Sequence, residues 1–263
     1  MDMAAKEKTV AWTGDLQKDG LDILTRGGGM IVSPTKVGYI IMVSDKGGLE
    51  RKFDAKVRKR NKPGVVLCGS MEELKSLAEM NPEIEAFYQA HWDRNILLGC
   101  ILPWKKEAIS KIPDDGSRDF VMDGRETSCF VIRFGTPSEQ LAEALWRDHG
   151  KLAFASSANP SGKGNRGLVE GIGDRIEAEA DLIISANDYV ASIQPDKDEG
   201  SRYEQGVMVS MVDEKGTLVP EQKGERMVSP APILIRKGLD NDKIMSLLSE
   251  HFLSWDYRHG QYY

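Results

Sequence analysis

The sequence predicts an α/β fold, and three observations carry that prediction. Short apolar runs suited to buried strands alternate with helical stretches through most of the 263 residues. Apolar residues make up 40% of the chain and charged residues 29%, the balance of a protein that buries a real core. Gly, Pro and Asn punctuate the joins between runs.

The elements follow in order. Leu16, Leu21, Ile23 and Leu24 predict a first helix, stopped by Gly27-Gly28-Gly29. Met30-Ile31-Val32 reads as a short buried strand, after which Pro34-Thr35 turns the chain into a second strand, 39–43. A basic helix is expected over 49–60, a strand over 65–68, and helices over 71–80 and 82–92, the second opened by proline in its first turn. Strands follow at 96–102 and 129–134. The amphipathic helix 138–149 ends at Gly150. Further strands are expected at 152–155, 182–184, 206–212 and 233–235, with a last helix over 243–252. Pro113 to Glu126 reads as irregular, and the charged stretch Pro195 to Glu204 as an exposed, mobile loop. Trp255, Tyr257, Tyr262 and Tyr263 form an aromatic tail expected to pack on the parent domain or on a twin subunit.

Bulk properties narrow the function classes. A net charge of -6 argues against non-specific nucleic-acid binding by overall attraction, although a local basic groove stays open. Cys68, Cys100 and Cys129 fit neither a disulfide framework nor a metal knuckle, so a reducing cytoplasm is the expected location. No apolar signal-peptide core follows the first residues, and no run approaches the roughly 20 residues that span a bilayer, so no membrane partner is expected.

The densest chemistry lies in Ser156-Ser157-Ala158-Asn159-Pro160-Ser161-Gly162, after the apolar run 152–155. Hydroxyl and amide groups crowded at a strand end, on a backbone turned by Asn, Pro and Gly, can converge on one anion. A plain polar turn would use the same residues. Lys56-Val57-Arg58-Lys59-Arg60-Asn61-Lys62 puts five cations in seven residues at a helix end. They suit a solvated helix C-terminus, or a polyphosphate site in which Arg offers a planar fork and Lys a point charge. Thr35 and Tyr39 flank the first turn. Arg133 closes a buried strand and needs a carboxylate or a bound anion, and Arg236 follows the strand 233–235.

Taken in this order, these residues resemble the YrdC-like family of threonylcarbamoyl-AMP synthases. Thr35 and Tyr39 stand where that family carries P-T-[ED]-T-x-Y-G-L. Lys56, Arg58 and Pro63 keep the spacing of K-x-R-P-x-x-x-P-L, and Trp92 aligns with W-P-G-P-x-T. Arg133 matches an R-x-P, Ser157, Asn159, Ser161 and Gly162 reproduce S-A-N-x-S-G, and Arg236 with Gly238 matches R-x-G. The chain departs from the pattern at Lys36, Val37, Ile40, Lys59 and Gly135, in 93–97, and at Gln205-Gly206, mostly toward the amino-acid end.

The resemblance spans roughly residues 14 to 240. It implies a YrdC-like domain over 1–240, with 241–263 as a C-terminal helix and tail. The implied fold is a twisted mixed β-sheet flanked by helices, with a concave basic cleft. The implied activity is nucleotidyl transfer: threonine, bicarbonate and ATP, with Mg²⁺ on the triphosphate, give threonylcarbamoyl-AMP and pyrophosphate for tRNA modification. Lys56 and Arg58 would be catalytic. Ser157, Asn159, Ser161, Arg133 and Arg236 would bind nucleotide, Thr35 and Tyr39 the acceptor, and no residue a resident metal. TRNA-modification proteins and a second copy of the chain are the macromolecular partners it leaves open. The departures keep two alternatives alive, a synthase of a different carbamoyl-adenylate and a non-catalytic nucleotide- or RNA-binding relative.

Overall fold

Alternate residues of the central strands belong to different cores, which is what a sheet buried on both faces requires. The computed structural model describes residues 8–56, 65–160, 164–198 and 200–260. In chain order the elements are β1 (Thr9–Ala11), α1 (Lys18–Thr25), β2 (Met30–Thr35), β3 (Gly38–Val43), α2 (Lys46–Lys56) and β4 (Val65–Leu67). Next come α3 (Met71–Leu77), α4 (Pro82–Asp93), β5 (Leu98–Pro103), α5 (Arg118–Val121), β6 (Thr127–Ile132), α6 (Thr136–His149) and β7 (Ala153–Ser157). The chain continues through α7 (Asp174–Glu179), β8 (Leu182–Ser185), α8 (Asn187–Ile193), β9 (Met208–Ser210), β10 (Ile233–Arg236), α9 (Asn241–His251) and β11 (Asp256–Tyr257).

Among the described residues the strands form one mixed sheet in the order β1-β8-β2-β3-β7-β4-β6-β5-β9-β10-β11. Tyr39, Ile41 and Val43 of β3 face the larger core. There Leu49 and Phe53 of α2, Phe87 and Tyr88 of α4, and Leu247 and Leu248 of α9 cover the sheet. Ile40 and Met42 face the other side, covered by Leu24 of α1 and by Leu141 and Leu145 of α6. A third cluster, including Ile101, Cys129 and Ile235, caps that side near β10. Between the α1–α6 pair and this third cluster, the side chains of the middle strands face an open concavity. The site lies there.

Three sequence expectations change. The first strand does not turn at Pro34: β2 runs to Thr35, with Pro34 opposite Tyr39 and Thr35 opposite Gly38. Pairing with β8 involves only Ile31 and Val32, so past that point β2 is an edge and tolerates a residue without an N–H. The turn falls instead on Lys36-Val37. The stretch 113–126 contains the short helix α5, whose Phe120 packs against Phe53 with ring centroids 5.4 Å apart. The loop 195–204 is tied down: Tyr203 is buried and its N–H donates to Asn165 O at 2.9 Å, while Glu204 N–H donates to Gln194 Oε1 at 2.9 Å.

The C-terminal segment shares the larger core. Ile244, Leu247, Leu248 and Phe252 are buried in it, and Trp255 packs against its edge. Tyr262 and Tyr263 lie outside the described residues. No helix among the described residues is long and apolar enough to cross a membrane.

Helix α3 begins with reciprocal capping. Ser70 Oγ accepts from Glu73 N–H at 3.0 Å, and a Glu73 carboxylate oxygen accepts from Gly69 N–H at 2.8 Å. Glu73 is fully buried, and burial raises its carboxyl from 4.5 to about 8. The folded state therefore holds a proton that the unfolded chain releases above pH 4.5. The associated stability is complete below that pH and is lost as pH rises through 8. Glu73→Gln is expected to flatten the fall in melting temperature between pH 5 and pH 8.5, measured against wild type by a thermal scan. An unchanged slope would remove Glu73 as its source.

Candidate functional site

The concavity is a cavity of about 390 Å³ whose floor is the uncovered part of the sheet. Val65 and Leu67 of β4, Val131 of β6 and Met208 of β9 make that floor apolar. One wall is the end of β7 and the turn after it, through Ser156, Ser157 and Asn159. The facing wall is Gln205, Gly206 and Arg236, and the segment Gly164-Asn165 with Arg202-Tyr203 borders the cavity from the remaining side. An apolar base with polar groups on its rim suits a ligand that has a flat hydrophobic part and an anionic part.

Lys56 sits at the last position of α2, on the face that also carries Leu49 and Phe53, and is 6% exposed. Its ammonium donates to the Ser157 carbonyl oxygen and to Ser157 Oγ, the latter at 3.1 Å. Lys56, the first residue of the cationic stretch, thus meets the hydroxyl-rich turn, while the rest of that stretch lies outside the described residues. Arg58 and Ser161 lie outside the described residues.

Ser156 and Asn159 are 8% and 7% exposed, yet Ser156 Oγ and Asn159 Oδ1 have no hydrogen-bond partner among the described residues. Such groups cost about 1–3 kcal/mol each when left unmet. Both line the cavity, so a ligand is the natural partner. Asn159 Nδ2 is already used, donating to Pro160 O at 3.0 Å.

Arg236 reaches the cavity after donating through Nε to Gly206 O at 2.8 Å, leaving the other guanidinium N–H groups available. Arg202 is exposed at the rim. Arg202 and Arg236 therefore line a cavity whose described walls carry no carboxylate, and Lys56 stands behind one wall on Ser157.

Thr35 and Tyr39 also border the cavity, but their hydroxyls are committed elsewhere. Thr35 Oγ1 donates to Gly38 O at 2.7 Å and accepts from Val37 N–H at 3.2 Å, closing the β2–β3 turn. Tyr39 Oη donates to Asn187 Oδ1 at 2.7 Å and accepts from Ala186 N–H at 2.9 Å, which fixes the β8–α8 junction. Burial pushes its phenol up to about 12. Tyr39 reaches the site through its backbone carbonyl, which accepts from Ala158 N–H at 2.8 Å and from Asn165 Nδ2 at 3.4 Å.

Arg133, expected on the nucleotide side, is not among the described residues that line the cavity. Its φ of 54° turns the chain at the end of β6. The guanidinium then lies over the Trp92 ring at 3.7 Å, donates to Trp92 O at 2.9 Å and pairs with Glu139 at 3.5 Å. Of the two partners it required, a carboxylate or an anion, the protein supplies the carboxylate.

Beside it, Lys36 is 5% exposed and donates to the carbonyl and the side-chain oxygen of Asn95 at 2.6 and 2.8 Å. Burial lowers its ammonium from 10.5 to about 8, with Glu139 opposing the shift. Lys36 and Asn95 are both departures from the family pattern, and they contact each other. These two altered positions therefore pack as a pair behind the β2–β3 turn.

Asn165, Arg202 and Tyr203 were not singled out by sequence reasoning, and Ser156 was named in the hydroxyl-rich stretch without a role of its own. Asn165 and Arg202 lie in polar stretches that resemble ordinary loops. The one usable signal was the Arg202-Tyr203 pair just ahead of a strand, which is weak in a single sequence. Among the described residues no cluster of His, Cys, Asp and Glu could hold a metal ion.

Residues 23–197 match the Sua5/YciO/YrdC family, described as telomere recombination. A hypothetical protein from Streptococcus mutans UA159 is 60% identical, superimposes with a TM-score of 0.93, and is matched over 98% of this chain and 100% of its own. Escherichia coli YciO is 20% identical with a TM-score of 0.62, matched over 90% of this chain and 97% of its own. Sua5 from P. abyssi, solved with L-threonine, is 19% identical with a TM-score of 0.62, matched over 92% of this chain but only 60% of its own. No curated protein matches. The length of the family match leads to a single conclusion: this chain belongs to the Sua5/YciO/YrdC family.

Proposed function

We propose that this chain is a nucleotidyltransferase-type synthase of the threonylcarbamoyl-AMP class. In that reaction an amino acid and bicarbonate give a carbamate and water. A carbamate oxygen then attacks the α-phosphorus of ATP, forming a new P–O bond as the bond to pyrophosphate breaks. The observation that carries the reading is the contact between Lys56 and Ser157 at the cavity wall, beside the unmet polar atoms of Ser156 and Asn159. A cation and serine hydroxyls converging there can hold phosphate oxygens as charge moves onto the leaving group, and Asn159 Oδ1 can accept from a ligand N–H or O–H. Positioning and charge neutralisation, with no covalent intermediate, are what phosphoryl chemistry asks of a protein.

The apolar floor of Val65, Leu67, Val131 and Met208 suits an adenine ring, and Arg202 at the rim suits the outer phosphates. With no carboxylate on the described walls, a Mg²⁺ ion arriving with ATP would be held by phosphate oxygens and water. Family membership supports a product destined for tRNA modification, passed on to partner proteins of that process.

The test is to incubate the protein with ATP, Mg²⁺, bicarbonate and amino acids, and to follow pyrophosphate release and new adenylates by mass spectrometry. Bicarbonate- and amino-acid-dependent adenylate formation is expected. AMP binding without any adenylate would identify a binding-only relative.

A further inference from the structure

We propose that Tyr203, which lies outside every motif that ties this chain to its family, is a ligand-contacting residue of the cavity. With Asn159 it reads a hydroxyl or an amine of the bound nucleotide, not a phosphate oxygen. The inference rests on nucleotide binding at this cavity and names the part of the nucleotide that is recognised there.

The other tyrosines inside the fold spend their hydroxyls on the protein. Tyr39 Oη bonds Asn187 and Ala186, Tyr88 Oη donates to Phe130 O at 2.9 Å, and Tyr189 Oη accepts from Thr136 N–H at 3.0 Å. Tyr203 is 5% exposed, yet its phenol makes no hydrogen bond among the described residues. A tyrosine hydroxyl this far inside a protein ordinarily has a partner. Tyr203 lines the cavity, so the partner comes from the ligand.

The ring is held in place. A methyl group built on Gly167 would stand 2.3 to 2.5 Å from three of its atoms, so the ring lies directly on that glycine. Tyr203 N–H donates to Asn165 O at 2.9 Å. Asn165 Nδ2 in turn donates to Tyr39 O, the carbonyl that also accepts from Ala158 N–H. These bonds bring the Tyr203 border beside the turn that carries Asn159. Asn159 is 7% exposed, and with Nδ2 spent on Pro160 O it offers the ligand Oδ1, which only accepts. An ionised phosphate oxygen also only accepts, so it cannot satisfy Asn159. A ligand hydroxyl can donate to Asn159 and accept from Tyr203, and an amine can donate to either. In a nucleotide these groups are the sugar hydroxyls and the exocyclic amine of the base.

The experiment is calorimetric titration of AMP, 2′-deoxy-AMP, 3′-deoxy-AMP and purine riboside monophosphate into wild type and Tyr203→Phe, beside thermal scans and the adenylate assay. Phenylalanine keeps the ring on Gly167 and the main-chain bond to Asn165, so the melting temperature is expected to stay within about 2 °C. AMP affinity is expected to fall about 5- to 20-fold. At least one analogue is expected to lose about as much on wild type and nothing further on the variant. A deoxy sugar in that role identifies a sugar hydroxyl, and the purine riboside the base amine. AMP affinity of the variant within about 2-fold of wild type would overturn the proposal. A wild type that binds all three analogues as tightly as AMP would also overturn it, as would a preference that survives in Tyr203→Phe. If AMP itself does not bind, the nucleotide reading falls together with the proposal. A preference erased in the variant, with no adenylate from any amine, would overturn the synthase reading alone.

Discussion

Lys56→Met is expected to weaken nucleotide binding about 100-fold or more while moving the melting temperature by only a few degrees. Hydrogen bonds to a charged group contribute about 1.5–3 kcal/mol each. The Lys56 ammonium orders both the carbonyl and the hydroxyl of Ser157, so its loss removes a phosphate partner and loosens the turn that supplies the others. Methionine keeps an unbranched stem on the buried face of α2. Ser157 is exposed, so water can take over its carbonyl and hydroxyl oxygens, which limits the loss to about 1 kcal/mol, a few degrees in a chain of this size. Titration of AMP or a non-hydrolysable ATP analogue, beside a thermal scan, separates the two effects. Affinity within 3-fold of wild type would remove Lys56 from the nucleotide site. Lys56→Arg should recover only part of the binding, because a planar fork cannot reproduce a point donor on two oxygens of one residue.

Gly38→Ala should be the most damaging small substitution next to the site. Gly38 has a φ of 101°, a conformation that L-residues rarely adopt and that costs of order 1–3 kcal/mol. A Cβ there would also lie 2.1 Å from Asn165 Oδ1, a distance at which one group must move. Asn165 would give up its bonds to Gly167 N–H at 2.8 Å and to Tyr39 O at 3.4 Å, about 1 kcal/mol each. A total near 3 kcal/mol corresponds to a melting-temperature drop of roughly 6–12 °C.

The same substitution should weaken nucleotide binding, since Asn165 O accepts from Tyr203 N–H and so anchors the Arg202-Tyr203 border of the cavity. Asn165→Ala in the Gly38→Ala background is expected to recover the collision but not the backbone cost. Full recovery of stability in the double variant would show that the positive φ carries no penalty.

The central strands were legible in the sequence because burial on both faces writes them as unbroken apolar runs, as in 39–43 and 152–155. β1 was not: its residues are exposed or half-buried, and it gains strand geometry only by pairing with β8 at an open edge. The short helices α7 and α8 each bury a single side chain, Ile176 and Val190, too few to mark a period.

At the site, the Ser157–Asn159 turn and Arg236 stood out because their order and spacing match family motifs, although a plain polar turn would use the same residue types. Arg133 looked the same in sequence. Its direction depends on one left-handed backbone angle and on Trp92, some forty positions earlier in the chain. Residues 195–204 looked mobile because they are charged, but at the end of that stretch Tyr203 is buried and the Tyr203 and Glu204 N–H groups are bonded to Asn165 and Gln194.

The order of the strands sets a limit on engineering. β1 and β11 occupy opposite rims of the sheet, ten strand spacings apart. At about 4.8 Å per spacing, the first and last strands are separated by roughly 45–50 Å measured along the sheet. A direct head-to-tail fusion would have to arch across the whole molecule, and at about 3.3 Å per residue it would need no fewer than about 14 residues. Reporter groups attached beyond either rim would start well away from the central strands that floor the cavity, so ligand titrations could be read from them without crowding the ligand.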